Sequence, residues 1–85
     1  KKITGIDIYP NPASNDALIS FQNRVTQDCQ VLLYDLAGRL IQSELVVKGA
    51  GTHILSLSNC PSGWYFVCIT ENGKVVAREK LSVLR

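Results

Sequence analysis

Apolar and polar residues alternate with a period of two in several short stretches of this chain. The alternation is clear at Ile6 and Ile8, and again in residues 29–33, 55–57 and 65–69. Such a pattern is typical of β-strands with one buried face, because successive side chains of a strand point to opposite sides of the sheet. No stretch shows a convincing 3.6-residue period of an amphipathic helix. The pattern therefore predicts an all-β protein.

Turn-forming residues interrupt the alternation at short, regular intervals. Asn72-Gly73 lies between two β-branched runs and predicts a type I′ hairpin turn, because both residues accept positive φ angles. Residues 35–38 predict another turn, since Asp35 can bond its own turn backbone and Gly38 can take a positive φ. These turns and their equivalents separate seven expected strands, near residues 5–9, 17–23, 29–35, 39–47, 52–58, 64–70 and 74–84.

Seven short strands in a chain of this length indicate an immunoglobulin-like antiparallel β-sandwich. The spacing of cysteine and tryptophan found in antibody domains is absent, so the likeness is one of architecture, and a partly open barrel is the alternative. The long last strand places Val75, Ala77, Leu81 and Val83 on one parity. A bulge near Arg78 would exchange the faces of part of this strand.

Composition and charge indicate a single globular domain. Hydrophobic residues make up 46% and charged residues 19% of the 85 residues, which is enough for one core and no more. The net charge is +2, with nine Lys and Arg mixed among seven acids. A basic stripe that could follow a nucleic-acid backbone is therefore absent, and no nucleic-acid partner is expected. No apolar run approaches the ~20 residues of a membrane-spanning helix.

The first residues indicate that the chain is part of a longer protein. Residues 1–5 include no initiator methionine and lack the long apolar segment of a signal peptide. We therefore expect another protein region, a cargo, upstream of this domain.

Little in the sequence points to catalysis or to a metal or cofactor. The three cysteines, Cys29, Cys60 and Cys68, allow at most one internal disulfide and show no CxxC spacing. The only histidine, His53, shares the parity of the apolar residues of its strand and is expected to be structural or to lie at an edge. No nucleophile, base and oxyanion-stabilising set can be assembled, so an enzyme, a metal site and a cofactor are not expected.

The strand at residues 64–70 is apolar on both sides and leaves two interpretations open. Cys29 and Cys60 are expected to be small buried hydrophobes, whereas Cys68 shares a face with Trp64 and Phe66. A central strand covered on both sides would bury this face. An exposed patch at Trp64 and Phe66 would instead indicate a docking surface for a partner or a sugar.

The turn motifs, taken in order, resemble a known family. Residues 8–14 read IYPNPAS, residues 34–40 read YDLAGRL, and residues 57–67 read LSNCPSGWYFV. With the ending at residues 73–83, the chain resembles the type A C-terminal sorting domain of the type IX (Por) secretion system of Bacteroidota. The family usually has leucine at the position of Cys60 and a smaller residue at that of Trp64. The motif residues, expected to be mainly architectural, are Pro10, Asn11, Pro12, Asp35, Gly38, Pro61, Gly63 and Tyr65.

The resemblance implies a secretion signal with protein partners. Such a domain is recognised in the periplasm by the outer-membrane translocon and its shuttle and attachment components. It directs an upstream cargo to the cell surface or the medium, usually with cleavage on its N-terminal side by a sortase-like peptidase. Recognition is implied for the end of the last strand, whose exposed backbone groups would pair with a receptor's sheet edge. The residues concerned are Lys80, Leu81, Ser82, Val83, Leu84 and Arg85.

Two alternatives remain at this point. The first is an immunoglobulin-like accessory module of a secreted enzyme or adhesin that binds carbohydrate or matrix through Trp64, Tyr65 and Phe66. The second is a sorting domain that is retained uncleaved on a component of the surface machinery. On either interpretation the chain is a single domain of a larger secreted protein.

Overall fold

The structure is a computed structural model that describes residues 5–85. The described residues form seven β-strands and no helix, which confirms the predicted all-β class. The strands are β1 (Ile6–Tyr9), β2 (Asp16–Phe21), β3 (Cys29–Asp35), β4 (Leu40–Val46), β5 (Thr52–Ser56), β6 (Gly63–Glu71) and β7 (Lys74–Val83). The expectation about the beginning of the chain falls largely on residues 1–4, outside the described residues.

The strands form two antiparallel sheets. One sheet has three strands in the order β1-β2-β5, and the other has four in the order β4-β3-β6-β7. Because the sheets are separate and share one core between them, the fold is a sandwich and not a partly open barrel. The fourth strand pairs with the third, whereas in a constant-type immunoglobulin domain it joins the other sheet.

The core contains the buried side chains of both sheets. On β6 the core-facing residues Tyr65, Val67 and Ile69 alternate with Trp64, Phe66 and Cys68, which point to the outer side of the four-stranded sheet. This alternation is the predicted one. The largest fully buried side chains are Ile19, Val25, Val31, Leu33, Leu55, Leu57, Cys60, Val67, Ile69, Leu81 and Val83.

The two predicted hairpin turns are confirmed by their backbone angles. Asn72 and Gly73 have φ angles of 52° and 79° and join β6 to β7. Gly38 has a φ angle of 87° and completes the turn from β3 to β4. An L-residue other than asparagine or aspartate adopts such angles only with strain, so these residue types specify the turns.

The predicted bulge lies slightly earlier than Arg78. Ala77 pairs with Ile69 but Val75 pairs with Thr70, so Val76 is the extra residue of β7. As a result, Val75 takes the outer face and is largely exposed, while Ala77, Leu81 and Val83 face the interior. The prediction that Val75 shares a face with Ala77 is therefore wrong, because an inserted residue shifts the alternation by one.

Candidate recognition surfaces

The three sequence motifs and the C-terminus meet at one end of the sandwich, which we call the motif end. It consists of residues 10–15, 35–39, 57–63 and 84–85. The strand register brings them together, because β3 ends where β6 begins and β7 ends beside that same point: Asp35 pairs with Tyr65, and Val83 with Gly63. Motifs separated along the sequence thus form one structural unit.

Asn11 holds the Pro-Asn-Pro segment against the last strand. Its side-chain Nδ2 donates to the Lys80 carbonyl at 3.1 Å, and its Oδ1 accepts from the Ser82 N–H at 3.0 Å. Ala13 continues the pairing, since its N–H donates to the Ser82 carbonyl and its carbonyl accepts from the Leu84 N–H, both at 2.8 Å. Both prolines follow cis peptide bonds. Through the two Ala13 bonds the segment forms a short parallel bridge to β7 at Val83.

This pairing corrects the expectation of a free terminal edge. β7 is the edge strand of its sheet, but the outward-facing backbone groups of Lys80, Ser82 and Leu84 are already bonded to Asn11 and Ala13. A receptor sheet could pair with this part of β7 only after displacing the motif segment. Covering an edge in this way also prevents uncontrolled strand pairing between molecules.

The side chains of the terminal residues differ in accessibility. Leu81 and Val83 are fully buried in the core, Lys80 is exposed, and Leu84 is 63% exposed. Only part of the predicted recognition segment is therefore available to a partner in the folded domain.

Arg85 fastens the C-terminus to the loop before β6. Its Nε donates to the Cys60 carbonyl at 2.8 Å, and another guanidinium N–H donates to the Leu57 carbonyl. A third bond reaches Asn15 Oδ1 at 3.3 Å, while the Arg85 backbone N–H donates to Ser62 Oγ at 3.0 Å. The planar guanidinium suits this role because it presents several donors in a fixed geometry.

Tyr65 supports the same end from inside. Its hydroxyl donates to the Pro61 carbonyl at 2.6 Å, and its ring is buried in the core. Burial is the main cause that raises the pKa of Tyr65 above its ordinary value. The suggestion that Trp64, Tyr65 and Phe66 together form a sugar-binding surface is wrong for Tyr65, because strand alternation turns it to the opposite face.

The Asp35 carboxylate organises the turn between β3 and β4. Its Oδ1 accepts from the N–H groups of Ala37 and Arg39 at 3.0 and 2.9 Å, and its Oδ2 accepts from Arg39 Nε at 3.1 Å. These contacts, led by the Arg39 backbone N–H, lower the pKa of Asp35 below its ordinary value. The architectural role expected for Asp35 stays a prediction.

The outer side of the four-stranded sheet carries aromatic and cationic side chains. Trp64 is 49% exposed and Lys80 Nζ lies 4.8 Å from its ring centroid; Arg78 lies 4.6 Å from the centroid of Phe66. Along the same strand Cys68 and Thr70 are buried. The half of this face near Thr70 is therefore covered, as the first interpretation requires. The half near Trp64 is exposed, as the second requires.

Arg78, Tyr34 and Asn15 are not among the residues that the sequence indicates for recognition. Arg78 could have been found, because it shares the parity of Lys80 and lies opposite the aromatic face of β6. The contact of Asn15 with Arg85 spans 70 positions along the sequence and has no local signal.

The three cysteines are separate and free. Cys29 and Cys60 are buried at opposite ends of the interior, whereas Cys68 lies on the outer side of the sheet. Burial raises the pKa of each thiol, which disfavours the reactive thiolate. The expectation that Cys60 is an apolar anchor is confirmed, because its side chain belongs to the core cluster.

His53 joins the edges of the two sheets. Its Nε2 donates to Glu44 Oε1 at 2.6 Å, linking β5 to β4. This contact gives His53 the structural edge position that was predicted. Within residues 5–85 no three His, Cys, Asp or Glu side chains group as metal ligands would.

The same range contains no helix long and apolar enough to cross a membrane.

Comparison with known proteins decides the family. Residues 7–83 match the model of the secretion system C-terminal sorting domain. This chain belongs to that family. It is also 30% identical, over 83 residues, to an ulvan lyase, NLR42, of Nonlabens ulvanivorans. The match covers 98% of this chain but only 15% of the lyase, so the chain spans a small part of that relative's length.

Membership of the type IX sorting-domain family has direct consequences. The family is one of secretion signals and is not catalytic. Its members interact with the type IX secretion machinery and are exported to the cell surface or the medium. The resemblance recognised in the sequence motifs is thereby confirmed.

Proposed function

We propose that residues 1–85 form a single C-terminal domain of a larger secreted protein and direct an upstream cargo through the outer-membrane translocon. The domain is recognised in folded form in the periplasm by the translocon and its shuttle and attachment components. A sortase-like peptidase then cuts on its N-terminal side, and the cargo reaches the cell surface or the medium. The family match over residues 7–83 supports this function.

The motif end is the proposed recognition surface. The observation that supports it most strongly is the contact of Asn11 with Lys80 and Ser82, across about 70 positions of sequence. These contacts join the first motif to the terminal segment, and Arg85 joins that segment to the third. A receptor binding here would contact all parts of the signal at once, and only when the domain is folded.

Binding to sugar is less well supported than sorting. The Trp64 and Phe66 rings each have a cation over one face, and Tyr65 is buried. Carbohydrate modules place the apolar side of a sugar against exposed aromatic rings, and of these three rings one is buried and the other two each carry a cation. The lyase relative instead suggests that the cargo of this domain is a secreted enzyme.

Export of a reporter tests the sorting function. Residues 1–85 are fused behind a periplasmic reporter protein in a host that has the type IX system. We expect the reporter outside the cell, measured by activity in the medium and by protease accessibility on intact cells. A reporter that stays in the periplasm would show that the domain is not a sufficient sorting signal.

Point variants test the motif end better than truncation does. A chain ending at Glu79 would lose the buried residues Leu81 and Val83, and it would then unfold whatever their role in recognition. Leu84→Ser changes only an exposed side chain, and Ile54→Ser, at 66% exposure on the other sheet, is its matched control. We expect the first to reduce export and the second to leave it unchanged.

Asn11→Ala tests the contact between the first motif and β7. It removes two hydrogen bonds at about 1 kcal/mol each, so thermal stability and export should both decrease. Asn23→Ala, on an exposed loop at the opposite end, serves as the control. Equal export by the stably folded variants Leu84→Ser and Asn11→Ala and by their controls would disprove the motif end as the recognised surface.

A further inference from the structure

The outer side of the four-stranded sheet has an unusual charge pattern. Residues directly opposite in adjacent strands share a face, so the register identifies every member of this surface. Among them are two cations, Arg78 and Lys80, and no acid. The members are Gln30, Leu32, Tyr34, Leu40, Ser43, Leu45, Trp64, Phe66, Cys68, Thr70, Val75, Arg78, Lys80 and Ser82.

Neither cation has a carboxylate partner among residues 5–85. Arg78 and Lys80 are both exposed, and the ion pairs of this part of the chain join Arg39 to Asp35 and His53 to Glu44. Each cation is instead held over an aromatic ring, Arg78 over Phe66 and Lys80 over Trp64. Their positive charge is thus fixed in place but not neutralised, which favours an anionic ligand.

An open groove lies beside Arg78. It has a volume of about 580 Å³ and runs between the β3–β4 turn and the bulged part of β7. Tyr34, Leu36, Phe66 and Val75 line it, with Arg78 at its rim. Leu36 and Val75 are exposed, so apolar carbon lines the groove where it is open to solvent. The groove therefore suits an apolar side chain placed next to a negative charge.

These features distinguish between two kinds of anionic ligand. An acidic glycan would bring negative charge, but its hydroxyl-bearing rings have no apolar side chain to fill a groove lined by Leu36 and Val75. An acidic peptide can do both, since its carboxylates can pair with the cations while a neighbouring apolar side chain enters the groove. Both the charge and the apolar lining are then matched.

We propose that this face docks an acidic segment of a partner protein that also carries an apolar side chain. Carboxylates of the segment pair with Arg78 and Lys80, and the apolar side chain lies against Leu36, Phe66 and Val75. The biological setting rests on the proposed sorting function, since the partner would belong to the secretion machinery. The face is separate from the Asn11 contacts at the edge of β7.

Trp64 allows the binding to be measured directly. It is the only tryptophan of the chain, so its fluorescence reports on this face alone. The chain of residues 1–85 is titrated with three short synthetic peptides: aspartate alternating with leucine, asparagine alternating with leucine, and aspartate alternating with serine. Polygalacturonate, an acidic glycan, is the fourth probe.

We expect only the aspartate–leucine peptide to bind well. Its affinity should be about tenfold or more above that of the other two peptides and should decrease with added salt, because exposed ion pairs are screened. Equal binding of the asparagine peptide, or no binding at millimolar concentration, would refute the proposal. Preferential binding of polygalacturonate would assign the face to glycans and would also refute it.

Charge-reversal variants show whether the cations are responsible. Arg78→Glu with Lys80→Glu should abolish binding of the aspartate–leucine peptide. Lys48→Glu with Lys74→Glu changes the net charge equally at exposed positions away from both rings and should leave most of the binding intact. Urea unfolding of both double variants confirms that they are folded. If the two variants weaken binding equally, the effect is one of total charge and the proposal is wrong.

The result is independent of the export experiment. Peptide binding is measured on the purified chain without any secretion machinery, so it can succeed even if the fused reporter stays in the periplasm. Conversely, an exported reporter whose domain binds none of the peptides would retain the sorting function and exclude this docking surface.

Discussion

The two sides of the β6–β7 hairpin differ sharply, although alternate residues of the same two strands form them. On the inner side, Tyr65, Val67 and Leu81 are buried against the other sheet. On the outer side, Trp64 and Lys80, their immediate neighbours in sequence, are exposed and in contact with each other.

The contrast shows how so small a domain can combine a core with a recognition surface. Burial of apolar area stabilises the fold in proportion to the area removed from water, so the inner side contributes most of the hairpin's stability. The outer side contributes little to stability, so its charged and aromatic residues can serve to bind a partner. Substitutions on the two sides should have separable effects.

The largest expected effect comes from the inner side. Leu81→Ala removes a fully buried side chain and should lower the free energy of unfolding by about 2–5 kcal/mol. Urea unfolding followed by Trp64 fluorescence measures this loss, with Lys80→Ala on the outer side as the control. A loss no larger than that of the control would contradict the assignment of Leu81 to the core.

A smaller effect is expected from a polar group on the same side. Tyr65→Phe removes the hydroxyl that donates to the Pro61 carbonyl at 2.6 Å and leaves the buried ring in place. The expected loss of unfolding free energy is about 1 kcal/mol, the usual net value of one hydrogen bond. Tyr34→Phe on the outer side, whose hydroxyl has no bonding partner within residues 5–85, should change stability less when measured by thermal unfolding.

On the outer side, the loss of one cation should barely affect stability. Lys80→Gln removes the ammonium group over Trp64 and should cost about 0.5–1 kcal/mol, the usual value of an exposed cation–aromatic contact. The Trp64 emission should nevertheless change, because the charge next to its ring is lost. Lys48→Gln should leave the emission as it is. An unchanged spectrum of Lys80→Gln would mean that the contact does not form in solution.

The cysteines provide a comparison that requires no loss of stability. In the folded chain a thiol reagent should label Cys68, which lines the outer groove, before Cys29 and Cys60, which lie inside. Because burial raises the pKa of the Cys68 thiol, its labelling rate should still be increasing at a pH where a free cysteine is already fully ionised. Peptide mapping of the labelled chain at short times gives the order. Prior labelling of Cys29 or Cys60 would reverse the assignment of the faces.

Much of the fold could be predicted because its signals are local. The alternation on β6 and the Asn72-Gly73 and Asp35–Gly38 turns each depend on residues a few positions apart, so the strands and hairpins were recognised without the fold. The error at Val75 has the same origin. Alternation assumes a regular strand, and the bulge at Val76 breaks it at a point where the sequence carries no strong turn residue.

The candidate sites were predicted less completely. The motif residues and Lys80 were identified, but the covering of the β7 edge by Asn11 was missed, and a free edge was expected instead. Nothing within a few residues of Asn11 or Ser82 indicates that they are bonded, because 71 positions separate them. Arg78 was not predicted as a binding residue for a different reason. An exposed arginine on a strand is common, and only the ring of Phe66 beneath it distinguishes this one.

The sequence by itself determined the all-β class, the number of strands, the main turns and, through three motifs in order, the family. Tertiary structure alone decided that the sheets form a sandwich and not a partly open barrel, and that the motifs meet at one end. It also decided which half of the outer side of β6 is exposed. The reason is physical: strand formation and turn geometry are set by neighbours along the chain. Exposure, edge pairing and the position of Arg85 depend on groups brought together only when the core forms.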